Sequence, residues 1–169
     1  RYNSGRHVAQ NGRELAALLE GLVAAWPVPL ARLDLLGFSM GGLVARSACH
    51  YAAVQGRRWP ARLGALAFVG TPQHGAPLER GGRLVDAAFG VSAYSAPFAR
   101  LGKARSAGIT DLRFGNVRDD GGAGRDRHAQ RRDDRPPTPL PRGVACYAVG
   151  ATRAPRGSAV GDRLVGDGI

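Results

Sequence analysis

Lysine is nearly missing from this sequence. Of 24 basic residues only Lys103 is a lysine, so the excess of 24 over 13 acidic residues, a formal charge of +11, is carried almost entirely by arginine spread from Arg1 to Arg163. There are two cysteines, Cys49 and Cys146, each inside an apolar run and without CxxC spacing. That pattern argues against a metal site and favours two buried thiols that act as small hydrophobes, with one disulfide as the alternative. No apolar run approaches the 18 or so residues of a membrane span, so no transmembrane segment is expected. The basic start at Arg1 to Arg6 also lacks the apolar stretch of a signal peptide. With no initiator methionine the compartment stays open, the cytoplasm being favoured over secretion. The oligomeric state is not legible.

A basic chain invites a nucleic-acid reading, and Arg118 to Arg135 is where it would show. Six arginines there face five aspartates, a local balance of +1, and no aromatic residue offers a stacking surface. No nucleic-acid partner is expected. The arginine reads instead as the bias of a GC-rich coding sequence toward Ala, Gly and Arg.

What is present is a single domain's worth of core, 44% hydrophobic residues in 169, within the usual domain range. Asn11 and Glu14 form a capping-box pattern, followed by Leu15, Leu18, Leu19, Leu22, Val23 and Trp26 at helical spacing. Pro27 and Pro29 end that helix. Leu33 to Phe38 is a short buried-type strand, then come glycines, then Leu43 to Val54 as a second helix. Leu63 to Val69 reads as another strand, Gly82 to Phe89 as a short helix, and Val144 to Val149 as a third strand. Strands alternating with helices predict an α/β fold with a parallel sheet covered on both faces. Residues 118–143, mixed in charge and then proline-rich, read as a mobile insertion. No internal repeat is visible.

Chemistry concentrates at Gly37-Phe38-Ser39-Met40-Gly41-Gly42, a G-x-S-x-G pattern. Alone it is weak. Its flanks, a strand that stops abruptly and a helix that starts at once, are what a strained turn presenting a serine requires. Gly37 and Gly41 are expected to give strand and helix room to approach, and the Met40 N–H, at the helix start, to point where an oxyanion would form. The plain alternative is a glycine-rich turn with an incidental serine.

The sequence resembles the α/β-hydrolase family, more narrowly its bacterial lipases and GPI inositol-deacylase-like esterases, in GFSMGGLVAR at 37–46, VGTPQHGAPLER at 69–80 and VGDGI at 165–169. The resemblance covers about residues 7–114 and 144–169. It implies a serine hydrolase acting on carboxylic, lipid-like esters through an acyl-enzyme at Ser39, with a small-molecule ester or lipid as substrate and no cofactor or metal. An acyltransferase on the same fold and a non-catalytic binding module lacking the base are the rival readings. It also implies that Asp167, in a D-G pair after the third strand, is the triad acid, with Asp162 and Glu79 in reserve. Residues 91–117 fall where this fold inserts a cap, and Phe89, Val91, Tyr94, Phe98 and Leu101 could face an acyl chain.

The base is harder to place. In this family the order is Ser, acid, His, yet His7, His50, His74 and His128 all precede Asp167. His50 lies 11 residues along the helix from Ser39, about 16 Å, too far to reach it. His7 is near the start and His128 in the insertion, while His74 at the end of the second strand would break the order. The resemblance therefore implies an α/β-hydrolase domain truncated at both ends, an interior fragment of a longer protein. The base would follow Asp167 and a second oxyanion donor would precede Arg1, so this chain alone is expected to be nearly inactive.

Overall fold

The computed structural model describes residues 2–75, 107–119 and 137–150. Among these residues three strands, β1 (Leu33–Phe38), β2 (Leu63–Val69) and β3 (Ala145–Val149), form a parallel sheet in the order β1-β2-β3. Helix α1 (Val8–Ala25) precedes β1, α2 (Met40–Val54) connects β1 to β2, and α3 (Ala107–Phe114) lies between β2 and β3. This is the α/β class expected, with the first two strands within the expected bounds. The expected helix at residues 82–89, the proposed cap residues before 107 and the middle of the 118–143 stretch lie outside the described residues.

The strand register divides the sheet into two faces. Leu35, Leu66 and Cys146 are aligned on one face, and Leu36, Ala67 and Tyr147 on the other. The first face packs on α1 and α2, where Ala16, Leu19, Ala45, Ala48, Cys49, Ala52, Trp59, Leu63, Leu66 and Phe68 make the main core. Small residues let the helices approach. A Cβ on Gly12 of α1 would fall 2.2 Å from the Ser47 Oγ of α2. Val8 meets the start of α2, Gly12 meets Ser47, and Ala16 and Leu19 join Ala48 and Ala52. The two helices therefore run in the same direction, their N-termini at one end of the molecule.

Two local features depart from the sequence reading. Asn11 does not cap α1: the helix starts at Val8 after His7, and Asn11 is buried one turn inside it. Leu18, Leu22 and Trp26 are exposed, so only the Leu15, Leu19 and Val23 side of the expected stripe packs against the core. The two ends of the arginine- and proline-rich stretch are held to the helices. The Asp119 carboxylate accepts hydrogen bonds from Arg13 and Tyr51, and the Thr138 carbonyl accepts from the Arg46 guanidinium.

Helix ends are otherwise as local chemistry dictates. The chain leaves α1 at Trp26 in extended conformation, as the following proline requires. After α2, Gly56 takes a positive φ of 63° while Arg57 N–H donates to Ala52 O and Gly56 N–H to Ala53 O, a Schellman arrangement that satisfies otherwise orphaned carbonyls. Glu20 of α1 accepts from the backbone N–H groups of Arg58 and Trp59, fixing the 3₁₀ turn Trp59–Arg62 that leads into β2. The Trp59 N–H bond chiefly holds that carboxyl below its usual range.

Candidate active site

Ser39 stands between the last residue of β1 and the first of α2, with φ 51° and ψ −126°. It is the one non-glycine residue with positive φ among the described residues, and such a conformation costs about 1–3 kcal/mol, kept only where surrounding structure over-determines it. The surroundings do so here. Ser39 N–H donates to Val69 O at 2.8 Å, continuing the parallel ladder past the end of β1, and Gly42 N–H donates to Ser39 O at 3.1 Å. The serine is thereby lifted at the strand end, half-buried, in a strained strand-to-helix turn.

The glycines around the turn have a different division of labour from the one expected. A Cβ on Gly37 would fall 2.4 Å from Gly42 Cα and 2.6 Å from Gly42 N, so strand and helix touch backbone to backbone. A Cβ on Gly42 would fall 2.1 Å from Thr71 Oγ1. Gly37 and Gly42 are thus the steric requirement, whereas a Cβ on Gly41 would meet only the Tyr2 ring, at an ordinary 3.6 Å. The i+3 glycine is the one the sequence reading missed, and its signal was the doubled Gly41-Gly42.

Met40 is the first residue of α2, and its side chain is buried with Val8, Leu43, Val44 and Val117. Its amide is one of the first four of the helix, which have no intrahelical acceptor. Ser39 and Met40 therefore lie together at the positive end of the α2 dipole. Asp167 lies outside the described residues, as do Asp162, Glu79 and His128.

Of the remaining histidines, His50 is on α2, its ring set edge-on to Tyr51 at 5.1 Å. Burial, then the Arg118 charge, hold its imidazole below the usual value against the opposing pull of Asp119. His74 is exposed on the turn after β2. His7 is the surprise. Its Nδ1 lies 3.0 Å from Oδ2 of Asp111, a fully buried carboxylate 104 residues away in the sequence. The same oxygen accepts Val8 N–H at 2.8 Å. His7 and Ser39, each directly preceding one of two parallel helices, share the same end of the molecule.

Burial raises both thiols above their ordinary value. Cys49 is pushed up to about 12, first by burial and then by Cys146, and burial also raises Cys146. Among the described residues no group of three or more His, Cys, Asp or Glu side chains is placed to hold a metal, and no helix is long and apolar enough to cross a membrane.

No family model matches the sequence, and no curated protein matches it. Among solved structures, the chain is similar to the Bacillus licheniformis lipase BlEst2 in its mature form, with a TM-score of 0.43 and 21% identity over 64% of this chain and 38% of the lipase. It is similar also to the propeptide form of that lipase, with a TM-score of 0.42 and 21% identity over 64% of this chain and 20% of the other. The chain thus spans well under half the length of either.

Proposed function

We propose that this chain carries the nucleophile of a serine hydrolase that cleaves carboxylic esters. The observation that supports this most is the backbone of Ser39, the one non-glycine residue at positive φ among those described, at the junction of β1 and α2. A turn that needed only to reverse the chain would use glycine there, because glycine adopts positive φ without steric cost. Keeping a hydroxyl at a strained position makes sense when the hydroxyl is used. In this reading the Ser39 oxygen attacks the ester carbonyl, the Met40 amide receives the developing oxyanion, an alcohol leaves, and water releases the acid.

The substrate class proposed is a lipid-like ester, and the acid proposed is Asp167, which would orient the base and stabilise its protonated form. The base belongs after Asp167 in the family order. A serine hydroxyl that no imidazole reaches stays protonated at neutral pH and turns over slowly.

The experiment is covalent labelling with a fluorophosphonate followed by peptide mass mapping. The adduct is expected on Ser39 and absent from Ser39→Ala protein of unchanged circular dichroism. An adduct on another serine, or none after prolonged exposure, overturns the assignment. In any form of the protein that carries the base, Asp167→Asn should cut kcat by about 10⁴ with folding intact. Loss of the same size in Asp162→Asn instead would move the acid there. Product analysis with water against an alcohol acceptor separates hydrolysis from acyl transfer.

A further inference from the structure

Residues 2–7 are irregular backbone, yet they are tied down from two sides. From α1, Asn11 accepts Asn3 N–H at 3.1 Å through Oδ1 and donates from Nδ2 to Asn3 O at 2.8 Å. The Asn3 side chain in turn accepts Gly5 N–H at 2.8 Å. From α3, the buried Asp111 holds His7 and Val8 N–H. A Cβ on Gly108 would fall 2.3 Å from Ser4 O and 2.7 Å from Arg6 O, so α3 lies directly against this loop. Asn116 adds a bond to the other Asp111 oxygen at 3.3 Å.

The clamped loop delivers Tyr2 to the first turn of α2. Its ring carbon Cε1 is 3.6 Å, and its hydroxyl 3.9 Å, from where a Cβ on Gly41 would stand, two residues beyond Ser39. The side chain stays 45% exposed. One part of the ring is therefore seated on the first turn of α2, two residues from Ser39, and the rest is open. Burial raises the phenol above its ordinary value, so it is neutral at physiological pH and presents an uncharged, largely apolar surface.

We propose that Tyr2 is a specificity-determining wall of the Ser39 site, and that Asn11 and Asp111 are positioning residues that hold it there. This rests on Ser39 being the nucleophile. A rigid ring beside the first turn of α2 takes up volume that a branch on the carbon next to the reacting carbonyl would need, and gives a linear chain a flat surface to lie on. The substrate class that follows is esters of unbranched acyl chains, with α-branched acyl groups disfavoured.

The test uses the full chain and two p-nitrophenyl alkylphosphonates, one with an n-butyl group on phosphorus and one with an isopropyl group. Labelling forms the bond from Ser39 Oγ to phosphorus and breaks the bond from phosphorus to p-nitrophenolate, while the hydroxyl proton passes to solvent. Rates are read from released p-nitrophenolate, and the site from peptide mass. Wild type should favour the linear probe, and Tyr2→Ala should lower the linear-to-branched ratio about tenfold, the scale of a methylene or two of pocket contact. Tyr2→Phe, which keeps the ring, should preserve the ratio, and Asn11→Ala, which frees the loop, should lower it in the same direction as Tyr2→Ala. Circular dichroism confirms that each variant is folded.

A ratio unchanged in Tyr2→Ala, with Ser39 still labelled, overturns this proposal and leaves the nucleophile standing. A ratio lost in Tyr2→Phe overturns the wall in favour of the hydroxyl. Absence of any Ser39 adduct in wild type overturns both readings together. A folded His7→Gln protein that loses labelling by both probes would mean that the His7–Asp111 pair acts on the serine itself, overturning the positioning role given to Asp111.

Discussion

The two faces of the sheet differ more than their sequences do. On the inner face Leu66 is fully buried, and the helices press so close that a single added methyl at Gly12 would collide with Ser47. On the outer face Leu36 is 73% exposed and Phe38 69%, with Tyr147 and Val149 beside them also exposed. Both faces are apolar, as strands of a parallel sheet are. The asymmetry comes from topology. The β1-to-β2 connection carries α2 on one side of the sheet, and α1 packs beside it there. None of the described helices covers the other. A strand's composition thus reports that it is made for burial, while connectivity decides which face these residues bury.

The largest expected effect sits on the inner face. Leu66→Ala should cost about 2–5 kcal/mol in urea unfolding, the range for emptying a packed leucine site. At the elbow, Gly37→Ala drives a methyl into the Gly42 backbone and should cost about 3 kcal/mol. Ser39→Gly should go the other way, stabilising by about 1 kcal/mol as the strained φ is relieved, while removing the labelling site. A neutral or destabilising Ser39→Gly would mean that the turn is not strained by its serine.

Smaller effects test the outer face and the surface. Leu36→Ala should change stability by no more than about 0.5 kcal/mol. If it costs as much as Leu66→Ala, the outer face is buried in solution and the contrast between faces collapses. Burial pushes the Asp119 carboxyl up, but its hydrogen bonds from Tyr51 and Arg13 outweigh that and hold it below its usual value. The sign follows from the lowered folded value: this stabilisation is present above about pH 3.9, the ordinary aspartate value, and is lost as pH falls through the folded one. Because the pair is partly exposed, Asp119→Asn should cost no more than about 1 kcal/mol at neutral pH and flatten the acid limb of a pH–stability curve.

Local chemistry was readable residue by residue. The apolar runs at Leu33 to Phe38 and Leu63 to Val69, Pro27 after α1, and the serine framed by glycines are determined by short-range sterics and backbone hydrogen bonding, so the sequence alone set the parallel-type strands and the strained turn. Where the glycine role was misassigned, from Gly42 to Gly41, the error was one of partner: the neighbour of Gly42 is Thr71, on a different strand end. Asn11 and Glu14 looked like a capping box because the pattern is local, but Asn11 is drawn inside the helix by Asn3, eight residues earlier, and Glu14 pairs with Arg6. The exposure of Leu18 and Leu22 and the pairing of His7 with Asp111 had no local signal at all. They depend on where α2 and α3 dock, and a contact across 104 residues is chosen by packing and topology, to which spacing along the chain gives no access. The sequence determined the strained turn and the strands that carry it; tertiary structure decided which sheet face the helices cover and which side chain, Tyr2, lies against the first turn of α2.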